Sequence, residues 1–190
     1  MIIIGITGTL GAGKGTVVDY LVKEKGFVHY SVRAFITEEI IKRNMPVNRD
    51  SMVVIANELR AKHSPGYIAE QLYKRAVKTG KNCIIESIRT PGEAETLKSK
   101  GAFYLFAVDA PAQVRYQRIR QRQTETDDVS FETFLENEQR EMQSTDPNKQ
   151  NISTCMKMAD VLFENNETVE KLQEKVNEVV RNMMKNKTTE

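Results

Sequence analysis

Residues 2–21 read IIIGITGTLGAGKGTVVDYL, and the nine from Gly8 to Thr16, GTLGAGKGT, decide the fold. Ile2, Ile3, Ile4 and Ile6 leave no polar face, which is how a strand buried on both sides reads. Four glycines follow before a helical run begins. Glycine costs backbone entropy on ordering, so something must require it there. Gly8-Thr9-Leu10-Gly11-Ala12-Gly13-Lys14 fits the pattern G-x-x-x-x-G-K, and it stands between strand and helix, as that pattern demands. Phosphate oxygens can approach bare amides that side chains would shield, and the dihedrals of such a nest suit glycine. The helix start adds partial positive charge. Lys14 is spaced to reach β- and γ-phosphates. Gly15 occupies the slot directly after the lysine, so the hydroxyl nearest a bound metal belongs to Thr16. The plain alternative is a glycine-rich turn without a ligand. The order strand, glycines, lysine, helix argues against it.

Outward from this loop, strands and helices alternate. A helix over about 14–25 stops at Gly26. FVHYS (27–31) reads as a second strand. Residues 33–79 carry helical patterns, broken at Met45-Pro46 and at His63-Ser64-Pro65-Gly66, with Ser64 as an expected N-cap before Pro65. NCIIES (82–87) is a third strand, and Thr90-Pro91-Gly92-Glu93 fits a capping box opening the next helix. AFYLFAVDA (102–110) is a fourth strand, with a helix opened by Pro111. A polar turn over 123–130, a helix over 131–142 and a loop over 144–151 lead to a fifth strand, ADVLFE (159–164). Asn166 is the expected cap of a last helix carrying Val169, Leu172, Val176, Val179, Val180 and Met183. Such a stripe packs on a sheet or meets a partner. Five buried strands alternating with helices predict an α/β domain with a parallel sheet and right-handed crossovers. The expectation is one domain over 1–185 and a fraying tail over 186–190.

Composition narrows the function classes. A chain of 190 residues suits one domain. A net charge of +2 gives no sign of a nucleic-acid binder or a polybasic membrane anchor. The apolar runs are strand-length, too short to span a bilayer. Met1 to Ile6 lacks the pattern of a signal peptide and is needed as a strand. Cys83 and Cys155 form neither a disulfide framework nor a zinc pattern, which predicts two reduced thiols and a cytoplasmic protein. Small-molecule nucleotides are the expected partners, rather than nucleic acid or membrane; the oligomeric state stays open.

The Gly-Lys-Gly-Thr ending resembles that of the P-loop kinases of small metabolites, the nucleoside monophosphate kinases such as adenylate kinase, and the likeness extends over nearly the whole chain. The sequence is also similar to dephospho-coenzyme A kinase. The resemblance implies a three-layer fold, a five-stranded parallel sheet with helices on both faces, an acceptor-binding helical insertion over about 31–66 and a short lid over about 122–140. It implies ATP and Mg²⁺ as cofactors, with Gly8, Thr9, Leu10, Gly11, Ala12, Gly13, Lys14, Gly15 and Thr16 on the ATP phosphates. In CIIESIRTPGE, Glu86 falls where the family keeps an acidic residue that helps to hold hydrated Mg²⁺, and Arg89 falls where an arginine grips the acceptor's phosphate. Independently, strand C-termini of an open parallel sheet form the ligand crevice, and a guanidinium fork suits phosphate. In VDAPAQVRYQRIRQR, Arg118 and Arg122 match the family's arginine pair and, four apart, share a helix face. The competing reading, a solvated basic face, is strongest for Arg115 and Arg120. Asp127-Asp128 resembles the lid's paired aspartates, and Arg140 is placed as a lid arginine.

The acceptor region departs from the family. Ser31 fits, but the Gly-Asp pair that should follow is absent and Ile36 stands at the expected arginine. Arg33 and Arg60 are the candidates to replace it. The expected activity is ATP-dependent phosphoryl transfer to a nucleoside or deoxynucleoside monophosphate. Dephospho-coenzyme A kinase is the alternative, weakened because no aspartate stands between Asp19 and Asp50. A non-catalytic ATP-binding regulatory module is the alternative of another class.

Overall fold

The first strand, β1 (Ile3–Gly8), is buried along its whole length and lies at the centre of the sheet. The structure, a computed structural model, describes residues 1–122 and 129–186. In chain order the remaining elements are α1 (Lys14–Lys25), β2 (Val28–Ser31), α2 (Val32–Lys42), α3 (Arg49–Lys62), α4 (Tyr67–Val77), β3 (Cys83–Glu86) and α5 (Pro91–Lys98). There follow β4 (Phe103–Asp109), α6 (Ala112–Arg122), α7 (Phe131–Met142), α8 (Ile152–Lys157), β5 (Val161–Glu164) and α9 (Val169–Asn186). The strands are all parallel, in the order β2-β3-β1-β4-β5. The α/β architecture expected from the sequence is the one observed.

Successive side chains of a strand point to opposite faces, so each central strand feeds two cores. Ile3, Ile85 and Leu105 pack with Phe35, Ile40, Ile55, Leu59, Ile68 and Leu72 beneath α2 to α5. Ile4, Ile6, Phe106 and Phe163 pack on the other face with Val17, Leu21, Leu172, Val176 and Val180 of α1 and α9. The apolar stripe of α9 is therefore core over most of its length, although Val169 at its start is exposed. Cys83 and Cys155 are free and buried, and burial pushes their thiols up to about 11 and about 12.

Local details correct several expectations. Ser64 does not cap α4. Its carbonyl closes a turn onto the amide of Tyr67, and Gly66 is the N-cap. A side chain at Gly66 would strike Thr96 Oγ1 at 1.9 Å, so α4 starts against α5 at a residue without one. Asn166 likewise does not cap α9; Thr168 Oγ1 accepts from the amide of Lys171. The fifth strand begins at Val161 rather than at 159, and the short α8 precedes it where no helix was expected. The capping box of Thr90 and Glu93 is formed in both directions, and Gly26 ends α1 in the left-handed conformation. Asp127-Asp128 and the last four tail residues lie outside the described residues.

Candidate functional site

The strand register sets the crevice. Ser31 pairs with Glu86, Glu86 with Ile6, Gly8 with Val108 and Asp109 with Glu164, so the C-terminal ends of all five strands open on one edge. That edge is where an open parallel sheet binds its ligand.

The loop from Gly8 to Thr16 is built as an open cradle. Gly8, Gly11 and Gly13 all have positive φ. Gly13 is the clearest requirement: its φ is 101°, and a Cβ there would lie 2.3 Å from Asn165 Nδ2. Gly13 is also the N-cap of α1, and it offers no side-chain acceptor. Helices α2, α3, α5 and α7 begin with Ser31, Asn48, Thr90 and Ser130 bonding their own first amides. Helix α1 has neither such a cap nor an acidic residue in its first turn. Uncapped amides and an uncompensated dipole are what a phosphate needs.

Lys14 folds back over this cradle. Its Nζ donates to the carbonyl oxygens of Gly8 at 2.9 Å and Thr9 at 2.7 Å. The residue is half-buried as a whole, but its ammonium sits inside the loop. Burial there, with help from Arg89, lowers its pKa to about 7. Glu86 and Glu141 pull the other way, and Arg122 adds to the lowering. Lys14, Glu86, Arg89, Arg122 and Glu141 thus share one electrostatic neighbourhood.

Three side-chain hydrogen bonds hold the loop and the strand that leads into it. Thr9 Oγ1 donates to Asp109 Oδ1 at 2.5 Å, tying the loop to the end of β4. Asn165 Nδ2 donates to the Ala12 carbonyl at 2.8 Å from the end of β5. Thr7 Oγ1 donates to the Ile88 carbonyl at 2.8 Å, joining β1 to the turn after β3. In that turn Ser87 holds a φ of 71°, which is costly for a non-glycine residue and separates Glu86 from Ile88.

Glu86 ends β3 with His29 Nε2 3.2 Å from its Oε2. Burial alone would raise its carboxyl. The hydrogen bond with His29, and the charges of His29, Lys14 and Arg89, outweigh that and hold it below the usual carboxylate range. Thr16, in the first turn of α1, borders a cleft of about 480 Å³ between α1 and α9, together with Tyr20, Lys23 and Gln173. A Cβ at Gly15 would meet nothing within 4 Å, so the slot after the lysine is open.

The arginines sort into distinct groups. Arg118 Nη2 donates to the Asn165 carbonyl at 3.0 Å, while its Nη1 is buried without a partner among the described residues. This unpaired nitrogen lies beside the asparagine that braces the glycine loop. Arg89 donates from its backbone to Glu93 Oε2 at 2.9 Å, and from Nη1 to Glu141 and Gln150. Ser31 caps α2, and Arg33 is exposed on the first turn of that helix. The expectation that Arg60 faces an acceptor is corrected: it is 2% exposed and bonds Glu93 through Nε at 3.2 Å and Nη2 at 2.8 Å. Arg140 lies on the exposed side of α7. The inward arginine of this region is Arg115, read from sequence as a candidate surface residue. It is 4% exposed, bonds both oxygens of Glu138, and donates to the carbonyls of Ala110 and Leu10. Arg115, Asn165, Glu138 and Glu141 were not singled out as site residues. The signal for Asn165 was present: an asparagine directly after a strand whose end faces the glycine loop.

A parallel sheet in the order β2-β3-β1-β4-β5, with an uncapped glycine cradle after its central strand, has the architecture of the P-loop kinases. Solved structures agree. A gluconokinase from Sinorhizobium meliloti 1021 superposes with a TM-score of 0.62 at 12% identity, over 99% of this chain and 96% of that one. A dephospho-CoA kinase from Campylobacter jejuni gives 0.51 at 14% identity, over 95% and 96%. At these identities the likeness establishes the fold alone.

Residues 4–146 match the family described as AAA domain. A UPF0200 protein of Methanothermobacter thermautotrophicus is 31% identical over 144 residues, 75% of this chain and 73% of that protein. One from Methanococcus vannielii is 28% identical over 189 residues, 98% of each. The chain belongs to the AAA-domain family that residues 4–146 match, and with the UPF0200 proteins.

Proposed function

We propose that this protein is an ATP-dependent phosphotransferase that moves the γ-phosphoryl of ATP to a small phosphorylated acceptor of the nucleoside or deoxynucleoside monophosphate class, acting in the cytoplasm. The observation that carries the reading is the uncapped start of α1, with Lys14 folded onto the carbonyls of its own loop. The cradle suits a polyphosphate on two further counts. A side chain at Gly13 would displace the Asn165 brace that holds the loop, and Arg118 has an unpaired buried nitrogen beside that asparagine.

In this reading the amides from Gly8 to Thr16 bind the β-phosphate, and Lys14 swings from its carbonyls to the β- and γ-oxygens. Arg118 and Arg122 neutralise charge that spreads over the moving group; Arg140 joins them when the lid closes. Ser31, Arg33 and Arg89 hold the acceptor. An oxygen of the ionised acceptor bonds to the γ-phosphorus as the bond to the β,γ-bridging oxygen breaks, and ADP leaves. Mg²⁺, when bound, would offset charge between the β- and γ-phosphates. Thr16 and Glu86 would hold it, in part through water. No cluster of three or more His, Cys, Asp or Glu among the described residues could hold a metal alone, so the ion would depend on the nucleotide's own oxygens.

The test incubates the protein with MgATP and a panel of nucleoside monophosphates, deoxynucleoside monophosphates and dephospho-coenzyme A. Transfer to a monophosphate is the expected result. Transfer only to dephospho-coenzyme A reassigns the acceptor, and tight ATP binding without any transfer identifies a regulatory module instead. Lys14→Ala should cost at least about 100-fold in kcat with weaker ATP binding. Unchanged turnover in that variant rejects the cradle.

A further inference from the structure

Helices α3 and α7 meet over the turn that follows β3. Arg49, the first residue of α3, donates from Nη2 to Oε1 of Glu141 at 2.6 Å. Arg89 donates from Nη1 to the other oxygen, Oε2, at 2.5 Å, and also to Gln150 Oε1 at 2.8 Å. Each oxygen of one carboxylate is thus taken by a different guanidinium.

This is not an ordinary surface pair. The side chain of Glu141 is 15% exposed, whereas those of Arg49 and Arg89 are 38% and 29% exposed. The carboxylate is therefore enclosed while its two partners remain reachable from solvent. Two guanidinium groups around one carboxylate leave the group of three with an excess positive charge. Glu141 and Arg89 both act electrostatically on the Lys14 ammonium, which places the cluster near the phosphate end of the crevice. A fork of two arginines that is reachable from solvent and carries an excess positive charge suits the oxyanion of a ligand by the same chemistry that holds Glu141.

We propose that Arg49 and Arg89 form an oxyanion subsite for the acceptor, and that Glu141 occupies it until a phosphate or carboxylate of the acceptor displaces it. The inference rests on the phosphotransferase reading only in giving the ligand to the acceptor. Arg49 becomes a binding residue that the acceptor insertion contributes from α3. Glu141 becomes an internal competitor that weakens apparent acceptor affinity by the fraction of time it fills the fork.

Binding of inorganic phosphate and of malonate is measured by calorimetry on wild-type protein, Glu141→Gln, and Glu141→Gln with Arg49→Ala. A non-transferable ATP analogue with Mg²⁺ is present to fill the cradle. Glu141→Gln should bind one of the anions at least about fivefold more tightly than wild type, and Arg49→Ala should abolish that gain. Which anion gains decides between a phosphate and a carboxylate. No gain for either anion, or a gain that survives Arg49→Ala, overturns the proposal. If Glu141→Gln fails to fold, Arg49→Ala alone is decisive: it should weaken anion binding relative to wild type, and unchanged affinity rejects the subsite. Failure of the ATP analogue to bind would count against the phosphotransferase reading. It would leave the dependence of anion affinity on Arg49 to decide this inference separately.

Discussion

Lys14 concentrates the electrostatic argument in one side chain. In the ligand-free protein, burial first and Arg89 second bring its pKa down to about 7, from 10.5 in the exposed chain. Between those values the unfolded chain holds a proton that the folded chain has released, so this group makes stability rise with pH across the window. Below about pH 7 both states carry the proton and the slope vanishes. A triphosphate reverses the balance, because it favours the charged ammonium. Binding of MgATP should therefore take up close to one proton at about pH 8 and almost none at about pH 6. Titrations in Tris and in Hepes, whose ionisation heats differ, measure the uptake directly. Lys14→Met should remove the buffer dependence; identical heats in the two buffers for wild type at the higher pH would mean that Lys14 never loses its proton. Asn165 tests the brace rather than the charge. Asn165→Ala strands the Ala12 carbonyl, which now accepts at 2.8 Å, at a cost of about 1–3 kcal/mol in urea unfolding. It should also weaken ATP binding while leaving the acceptor's KM unchanged. An increase in that KM as large as the loss of ATP affinity would show that Asn165 braces more than the glycine loop.

Among the elements, α7 has a well-defined attachment. It docks through Phe134, 1% exposed and packed with Tyr116 and Phe131, and through the bond of Glu138 to the buried Arg115. Phe134→Ala removes the apolar half of that attachment, and a buried Phe is worth about 3–5 kcal/mol. The loss should appear first as faster amide exchange across Phe131–Met142 with the β1 amides still protected, since local elements open below the global transition. Equal loss of protection in β1 would make α7 part of the core rather than a docked cover. Elements also differ in how far their own sequence announces them. The glycine loop, the strands and the box at Thr90 are short-range features: each needs only neighbours in sequence, and each was legible. The short α8 was not, because six residues carry less than two turns of periodicity. Ser64-Pro65 carried the right local signal for a helix start, but the cap falls two residues later, at Gly66, where α4 packs so closely on α5 that a side chain would strike Thr96. For the candidate site, the geometry of the glycine loop was legible because the loop is contiguous. The placing of the arginines was not, because every arginine looks alike until its partner is known. Arg60 and Arg115 find Glu93 and Glu138 across 33 and 23 residues, and nothing in their own surroundings separates them from Arg118.

At the scale of the whole molecule, the buried pair of Arg60 and Glu93 joins α3 to α5 and to the turn after β3. One oxygen of Glu93 accepts from Arg60. The other accepts from the amides of Arg89 at 2.9 Å and Thr90 at 3.3 Å, and Arg60 reaches on to the Asn148 carbonyl. The pair thus ties α3, the turn that carries Arg89 and the segment before α8. Removing one charge leaves the other buried and unmatched, which costs about 3–5 kcal/mol, whereas removing both can be close to neutral. Glu93→Gln should accordingly lower stability by about that amount and Tm by on the order of 10 °C for a chain of this size. Arg60→Met combined with Glu93→Gln should recover part of the loss, because the glutamine oxygen still serves the amides of Arg89 and Thr90 while no charge remains stranded. Urea unfolding of the singles and the double decides it, and costs that simply add would mean that the two residues do not act as a pair. The turn couples this to activity. Glu93→Gln loosens the segment that aims Arg89, so the acceptor's KM should rise while ATP affinity, set on the far side of β1 by the glycine loop and Asn165, stays near wild type.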